Sequence, residues 1–408
     1  MQFKDIIGQQ EVKQRLIEMY AQNRLSHALL FLGKEGNGSL MLALAFAQYV
    51  NCSAVNGKST STENGLFADA STVQADPNKL VEDACGVCLS CQKAAQFIHP
   101  DIHFSYPTYT RKANDKPIAT AFVAYWRKFI VEQPYGNNYD WLQFISSENK
   151  QGKISALECE DINRKLSLKS YESEYKFLIM WMPEFLGKEG NKLLKLIEEP
   201  PAKTIFIFVA ENEQLIIPTI LSRTQLIKIP ALSVHNIESA LIAQKHIPAD
   251  KAHQIATMSE GNFRESLLML DASEDNWELM LREWLNAILK TGPVAQVKWI
   301  EEIAKIGREK QKQFLKFFTH LLEQAVRIEM MGDQANEMDE TNELLNLQLD
   351  FASRLNRLCN IEQKEAIIQE LDLATYHVER NANPKILFHA LTIKIYHIIS
   401  NKSVILVS

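Results

Sequence analysis

The chain has 408 residues, 46% hydrophobic and 23% charged, with a net charge of −6, which is enough apolar chain for two or three core-forming domains of about 100–200 residues each. The acidic balance excludes a surface that grips phosphates throughout, so any nucleic-acid contact belongs to a local patch or to a partner. The polar start MQFKDIIGQQEVKQRL shows no signal-peptide pattern, and no run of 18 apolar residues occurs; no membrane span is expected, and a cytoplasmic location is.

Val12, Leu16, Ile17 and Tyr20 recur at helical spacing and predict a helix over 9–22. His27–Leu32 is a short apolar run stopped by Gly33, as a buried strand is, and the glycine-rich Gly33–Gly38 leads into an apolar helix to about Tyr49. Helix, strand, glycine loop, helix is the layout of a nucleotide-binding α/β unit. Residues 53–84, rich in Ser, Thr, Asn, Asp and Gly, read as a loop insertion. Residues 106–150 read as a second insertion with helix near 119–132; their clustered aromatics either pack or stack on single-stranded bases. A helix over 156–167 and a buried strand over Tyr175–Met182 follow. Next come a helix over Asn191–Glu199, ended by Pro200-Pro201, and a second buried strand over Thr204–Ala210. Glu198-Glu199-Pro200-Pro201 reads as that helix end rather than as a metal-binding acidic pair. The alternation predicts a parallel sheet covered on both faces. Beyond about Pro230 only helices are expected: a small unit over 234–271 and several longer helices over 276–400. The last opens at Asn383-Pro384, with proline at its first position.

A working phosphate loop reads G-x-x-x-x-G-K-[ST]: backbone amides cradle the phosphates, lysine neutralises them, and the hydroxyl holds magnesium. Here Gly33, Gly36 and Gly38 keep the glycine spacing, but Ser39 stands at the lysine position and Leu40 at the magnesium position. Lys34 lies at the wrong end of the loop to substitute. The acidic pair that should follow the next strand fails as well: Ile179 runs into Met180-Trp181-Met182, and Glu184 comes only after Pro183. Hydrolysis of ATP is not expected; residual nucleotide binding by backbone amides stays open. Cys85, Cys88 and Cys91 fall within seven residues, and Cys52 closes the helix of the first unit. Four thiolates suit a closed, structural zinc site, against the alternative of free cysteines. Cys159 and Cys359 sit in helical contexts and read as core.

Several long segments, in order, carry a resemblance to the bacterial clamp-loader subunits of the AAA+ type. They are IIGQQEV from Ile6, RLSHALLFLG from Arg24, CGVCLSC from Cys85, KISALECEDINRKLSLKSYESEYKFLIM from Lys153, NKLLKLIEEPP from Asn191, TILSRTQ from Thr219 and LDLATYHVERNANPKILFHALTIKI from Leu371. The lost lysine and acidic pair make the chain resemble the family's delta-prime branch rather than its motor subunits. The resemblance implies an α/β AAA+ type module over 1–230 carrying the zinc module (52–91), a helical lid over 231–273 and a helical collar over 274–408. It implies that the chain serves the DNA polymerase III clamp loader, with motor (gamma/tau) and clamp-opening (delta) subunits, the sliding clamp and primed DNA as partners. The family's Ser-Arg-Cys motif stands here as Ser222-Arg223-Thr224, which implies that Arg223 reaches the ATP site of a neighbouring subunit. Guanidinium is planar, always charged and bidentate toward phosphate, and an arginine supplied in trans accelerates phosphoryl transfer by about 10³–10⁵ in other systems. Gly261-Asn262-Phe263-Arg264-Glu265 resembles the segment bearing a second nucleotide-sensing arginine, although without a competent site Arg264 reads as structural. Ala210-Glu211 lacks the hydroxyl expected of a first sensor. The competing readings are an active motor-type ATPase and a zinc-containing nucleic-acid binding module with a relic ATPase domain.

Overall fold

The computed structural model describes residues 1–56, 81–110, 117–145, 152–271, 277–331, 343–380 and 382–401. Most of the first insertion, two parts of the second (111–116 and 146–150) and the apolar Val404–Val407 lie outside the described residues. The chain forms two compact units, Met1–Leu270 and Asp271–Ser408.

The first unit begins with α1 (Gln10–Ala21), β1 (Ala28–Leu32), α2 (Ser39–Val50), α3 (Leu89–Ala95) and β2 (Ile102–Ser105). It continues with α4 (Val123–Glu132), α5 (Asn138–Ile145), α6 (Ala156–Ser167) and β3 (Lys176–Trp181). A 3-10 stretch (Pro183–Leu193) leads to α7 (Leu194–Glu198), β4 (Thr204–Ala210), α8 (Pro218–Leu221) and β5 (Gln225–Lys228). The five strands are all parallel, in the order β2-β3-β4-β1-β5. Strand residues alternate between two cores, because successive side chains leave opposite faces. Phe31, Ile179, Trp181 and Ile207 pack under α1, α2 and α4, while Leu30, Met180, Phe206 and Phe208 pack under α6 and α7. Every residue of α2 is buried, which fits a helix apolar on all sides.

The described residues of 106–150 are part of this core. Tyr106 stacks on Trp126 with ring centroids 4.0 Å apart, and Trp141 meets both edge-on. The helices α9 (Val234–Lys245), α10 (Ala249–Met258) and α11 (Phe263–Asp271) cover the region expected as the lid. They form a small cluster of their own around Ile237, Leu241, Ile255 and Phe263, shared with Ile7 and Tyr135. Up to residue 270 they belong to the first unit.

The second unit is helical: α12 (Trp277–Asn286), α13 (Pro293–Ile303), α14 (Arg308–Met331), α15 (Glu343–Leu358), α16 (Ile361–Glu379) and α17 (Pro384–Asn401). Its core centres on Trp284 and Trp299, stacked 4.7 Å apart and ringed by Phe314, Phe318 and Phe388. Asn360 and Gln363 form a reciprocal cap at the start of α16. Among the described residues, no helix is long and apolar enough to cross a membrane.

Candidate functional site

β1 delivers the glycine loop to the C-terminal edge of the sheet, and Gly38, at φ 87°, opens α2 in a conformation that favours glycine. In a phosphate site the amides of this turn point at the ligand. Here the Asn37 side chain takes the ligand's place. Its Oδ1 accepts from the Ser39 backbone N–H at 3.0 Å and from the Ser39 hydroxyl at 2.6 Å, while its Nδ2 donates to the Ile229 carbonyl at 3.0 Å. The start of α11 and the residue before it press on the loop. Phe263 N–H donates to the Gly36 carbonyl at 3.1 Å, and a Cβ at Gly36 would lie 1.8 Å from Asn262 Oδ1. The cavity left between Gly33–Leu40, Tyr135, Trp181 and Glu211 is about 30 Å³, room for a water, whereas ligand pockets run to about 300–1,000 Å³.

Arg264, the candidate second sensor, lies over this loop with its side chain only 5% exposed. Its Nη1 donates to Glu35 Oε1 at 3.0 Å. Its Nε and Nη2 form a bidentate pair with Asp140, the Nη2–Oδ1 leg at 2.6 Å. Asn137 Nδ2 also donates to Glu35, at 3.0 Å. The Arg264 guanidinium is thus already paired with two carboxylates, Glu35 and Asp140, and an incoming anion would have to compete with both.

The strand positions that should hold magnesium are apolar. Trp181 is 4% exposed and packs against Trp126 with centroids 5.3 Å apart. Glu184, the next acid, faces elsewhere: its Oε1 accepts the backbone N–H groups of Glu211 and Asn212 at 2.6 and 2.9 Å. Burial pushes its carboxyl above the usual range.

Cys52, Cys85, Cys88 and Cys91 place their sulfurs within 4.8 Å of one another. Cys85 and Cys91 sulfurs are 3.9 Å apart; four sulfurs tetrahedral around one ion at about 2.3 Å stand about 3.8 Å apart. Backbone N–H groups of Cys85, Cys88 and Cys91 point at the sulfurs of Cys52, Cys85 and Cys88, the orientation that stabilises thiolates. The hydrogen bond with Cys91 lowers the Cys52 thiol to about 4 and raises that of Cys91. A divalent cation relieves such crowding by taking all four sulfurs as thiolates, so the set fits a closed metal site. Cys159 and Cys359 are buried core residues, their thiols pushed up by burial to about 12 and about 11.

Arg223 lies apart from all of this. It follows α8 and precedes β5, whose first residue Gln225 pairs with Leu29. Gly33 is four residues further along the parallel direction, about 13 Å at the strand rise of 3.3 Å per residue. Arg223 thus sits at the opposite edge of the sheet from the chain's own loop, half-exposed.

The loop's actual occupants, Glu35, Asn37, Asn137, Asp140 and Asn262, went unread in the sequence. One signal was there: an acid, Glu35, inside a loop built for phosphate.

Known proteins resemble the chain in part. The Bacillus subtilis DNA polymerase III subunit delta-prime is 27% identical over 240 residues, 59% of this chain and 53% of that protein. The Bacillus subtilis subunit tau is 23% identical over 330 residues, 79% of this chain and 46% of that protein. The chain thus spans about half the length of the curated relatives it matches. Of solved structures, a DNA polymerase III gamma subunit-related protein of Thermotoga maritima is 14% identical with a TM-score of 0.34, covering 96% of this chain and 99% of that one. A family model described as DNA polymerase III, delta subunit, matches residues 8–71 and 57–233, more than half of the chain, and the chain belongs to that family of bacterial clamp-loader proteins.

Proposed function

We propose that this chain is the non-hydrolysing, delta-prime-type subunit of a bacterial DNA polymerase III clamp loader, and that it lends Arg223 to the ATP site of a neighbouring motor subunit. One observation carries the reading: Arg223 is half-exposed at the sheet edge away from the chain's own loop, so a nucleotide that it serves belongs to another chain. The filled loop supports the absence of hydrolysis, since Asn37 takes the loop amide, Arg264 is tied to Glu35 and Asp140, and Trp181 stands where an acidic magnesium ligand is expected. The same features argue against an active motor. The cysteine cluster supports a structural zinc held by Cys52, Cys85, Cys88 and Cys91, with no open position for chemistry. Residues 231–273 would act as the lid, and 274–408 as the collar that joins the motor and clamp-opening subunits during loading of the sliding clamp on primed DNA.

The test is DNA- and clamp-stimulated ATP turnover of the reconstituted complex, wild type against Arg223→Ala. The chain alone is expected to be inert and the mutant complex to assemble but turn over about tenfold or more slower. Hydrolysis by the chain alone, or a mutant complex as fast as wild type, removes the proposed mechanism.

A further inference from the structure

The guanidinium of Arg223 is held on two edges of unlike chemistry. Nε donates to Glu198 Oε1 at 2.5 Å, and Nη2 reaches the same oxygen. Nη1 donates to the Thr219 carbonyl at 2.9 Å and to the Ser222 hydroxyl at 3.1 Å. Glu198 is the last residue of α7, and Pro200-Pro201 follow it. The prolines end the helix there, which fixes the backbone from which the carboxylate projects. Thr219 and Ser222 are exposed and neutral. All of these bonds are charge-assisted, because the guanidinium is the donor, but only Glu198 sets a full opposite charge against it. A phosphate oxygen arriving from solvent therefore displaces the carbonyl and hydroxyl from Nη1 before it displaces the carboxylate from Nε.

We propose that Glu198 is the positioning residue for Arg223: it grips the Nε edge, fixes the guanidinium plane, and presents the Nη1 edge to the phosphoryl group of a neighbouring subunit's nucleotide. The proposal rests on the trans role of Arg223 given above. It assigns a function to a helix end that otherwise needs none. The side chains of Arg223 and Glu198 are 35% and 45% exposed, and a pair so exposed adds little to stability, so its removal leaves the fold intact.

The experiment uses the full chain reconstituted with its motor and clamp-opening subunits, clamp and primed DNA. ATP turnover is measured for wild type, Glu198→Ala, Arg223→Ala and the double variant. Glu198→Ala is expected to lower kcat about tenfold, as misplacing a reacting group does, with KM for ATP unchanged. The double variant is expected to be no slower than Arg223→Ala. If Arg223→Ala is slow but Glu198→Ala is as fast as wild type or faster, positioning by Glu198 is refuted while the arginine reading stands. If Glu198→Ala slows the Arg223→Ala complex by its full factor, or its loss lies in KM, Glu198 acts otherwise than through Arg223. If Arg223→Ala is as fast as wild type, both readings fall together.

Discussion

Asp140→Ala severs the bidentate leg of the cluster that closes the loop. Arg264 and Asp140 side chains are 5% and 17% exposed, so the pair sits in a poorly screened setting. Removing one partner of such a pair costs about 3–5 kcal/mol. Glu35 remains on Nη1 at 3.0 Å, so the lower end, about 3 kcal/mol, is expected. Arg264→Ala should cost at least as much, because it leaves Glu35 and Asp140 facing each other across the site. The double variant should recover about 2 kcal/mol of the sum of the two, since neighbours in one network couple. With two compact units a single unfolding curve mixes signals, so the assay is native-state hydrogen exchange at Leu29, Leu30 and Phe31. These residues of β1 lie between β4 and β5, and their slowest opening reports the first unit alone. A loss under about 1 kcal/mol for Asp140→Ala, or a coupling under about 0.5 kcal/mol, would show that the cluster does not hold the loop.

The cysteine cluster predicts about one zinc per chain by elemental analysis. Cys88→Ser or a strong chelator should remove it and abolish exchange protection in α3 (Leu89–Ala95), and a metal-free chain with α3 protected refutes the site. His103, on β2, is pulled down to about 4 by burial, and then by Lys165 and Lys176. An unfolded histidine protonates near 6.5 while the folded one resists, so the contribution of His103 is whole above about pH 6.5 and is lost as pH falls toward 4. The full loss is about 3 kcal/mol. The same hydrogen exchange in β1, compared for wild type and His103→Gln at pH 7 and pH 4.5, reads it, and equal pH dependence in the two refutes it.

Much of this was legible in the sequence where one stretch of chain decides the outcome. β1 and β4 are unbroken apolar runs with clear stops, and both were read within a residue. The cysteines announce themselves by ligand chemistry and short spacing. β2 and β5 were missed because IHFS and QLIK are four residues each, with no apolar run to mark them; neighbouring strands make them strands. The helix expected over Asn191–Glu199 is α-helical only from Leu194; the residues before it belong to a 3-10 stretch kinked at Gly187, at φ 51°. The Arg264 cluster was beyond reach for another reason. Its partners Glu35 and Asp140 lie 229 and 124 residues away in sequence, and only the folded chain says that they meet.

What fills the loop also obstructs a return to the consensus phosphate-loop sequence. Restoring the motif with Ser39→Lys and Leu40→Thr would put a long cation where Ser39 is 7% exposed and the remaining space is about 30 Å³. The new lysine would meet Asn37, itself tied to Ile229, and the threonine would find Trp181 where an acidic magnesium ligand should be. Arg264 would still be committed to Asp140 on α5. Each occupant of the old site is held by another from a different part of the chain, so the site works as a ratchet: any single step back meets a clash before it gains a ligand.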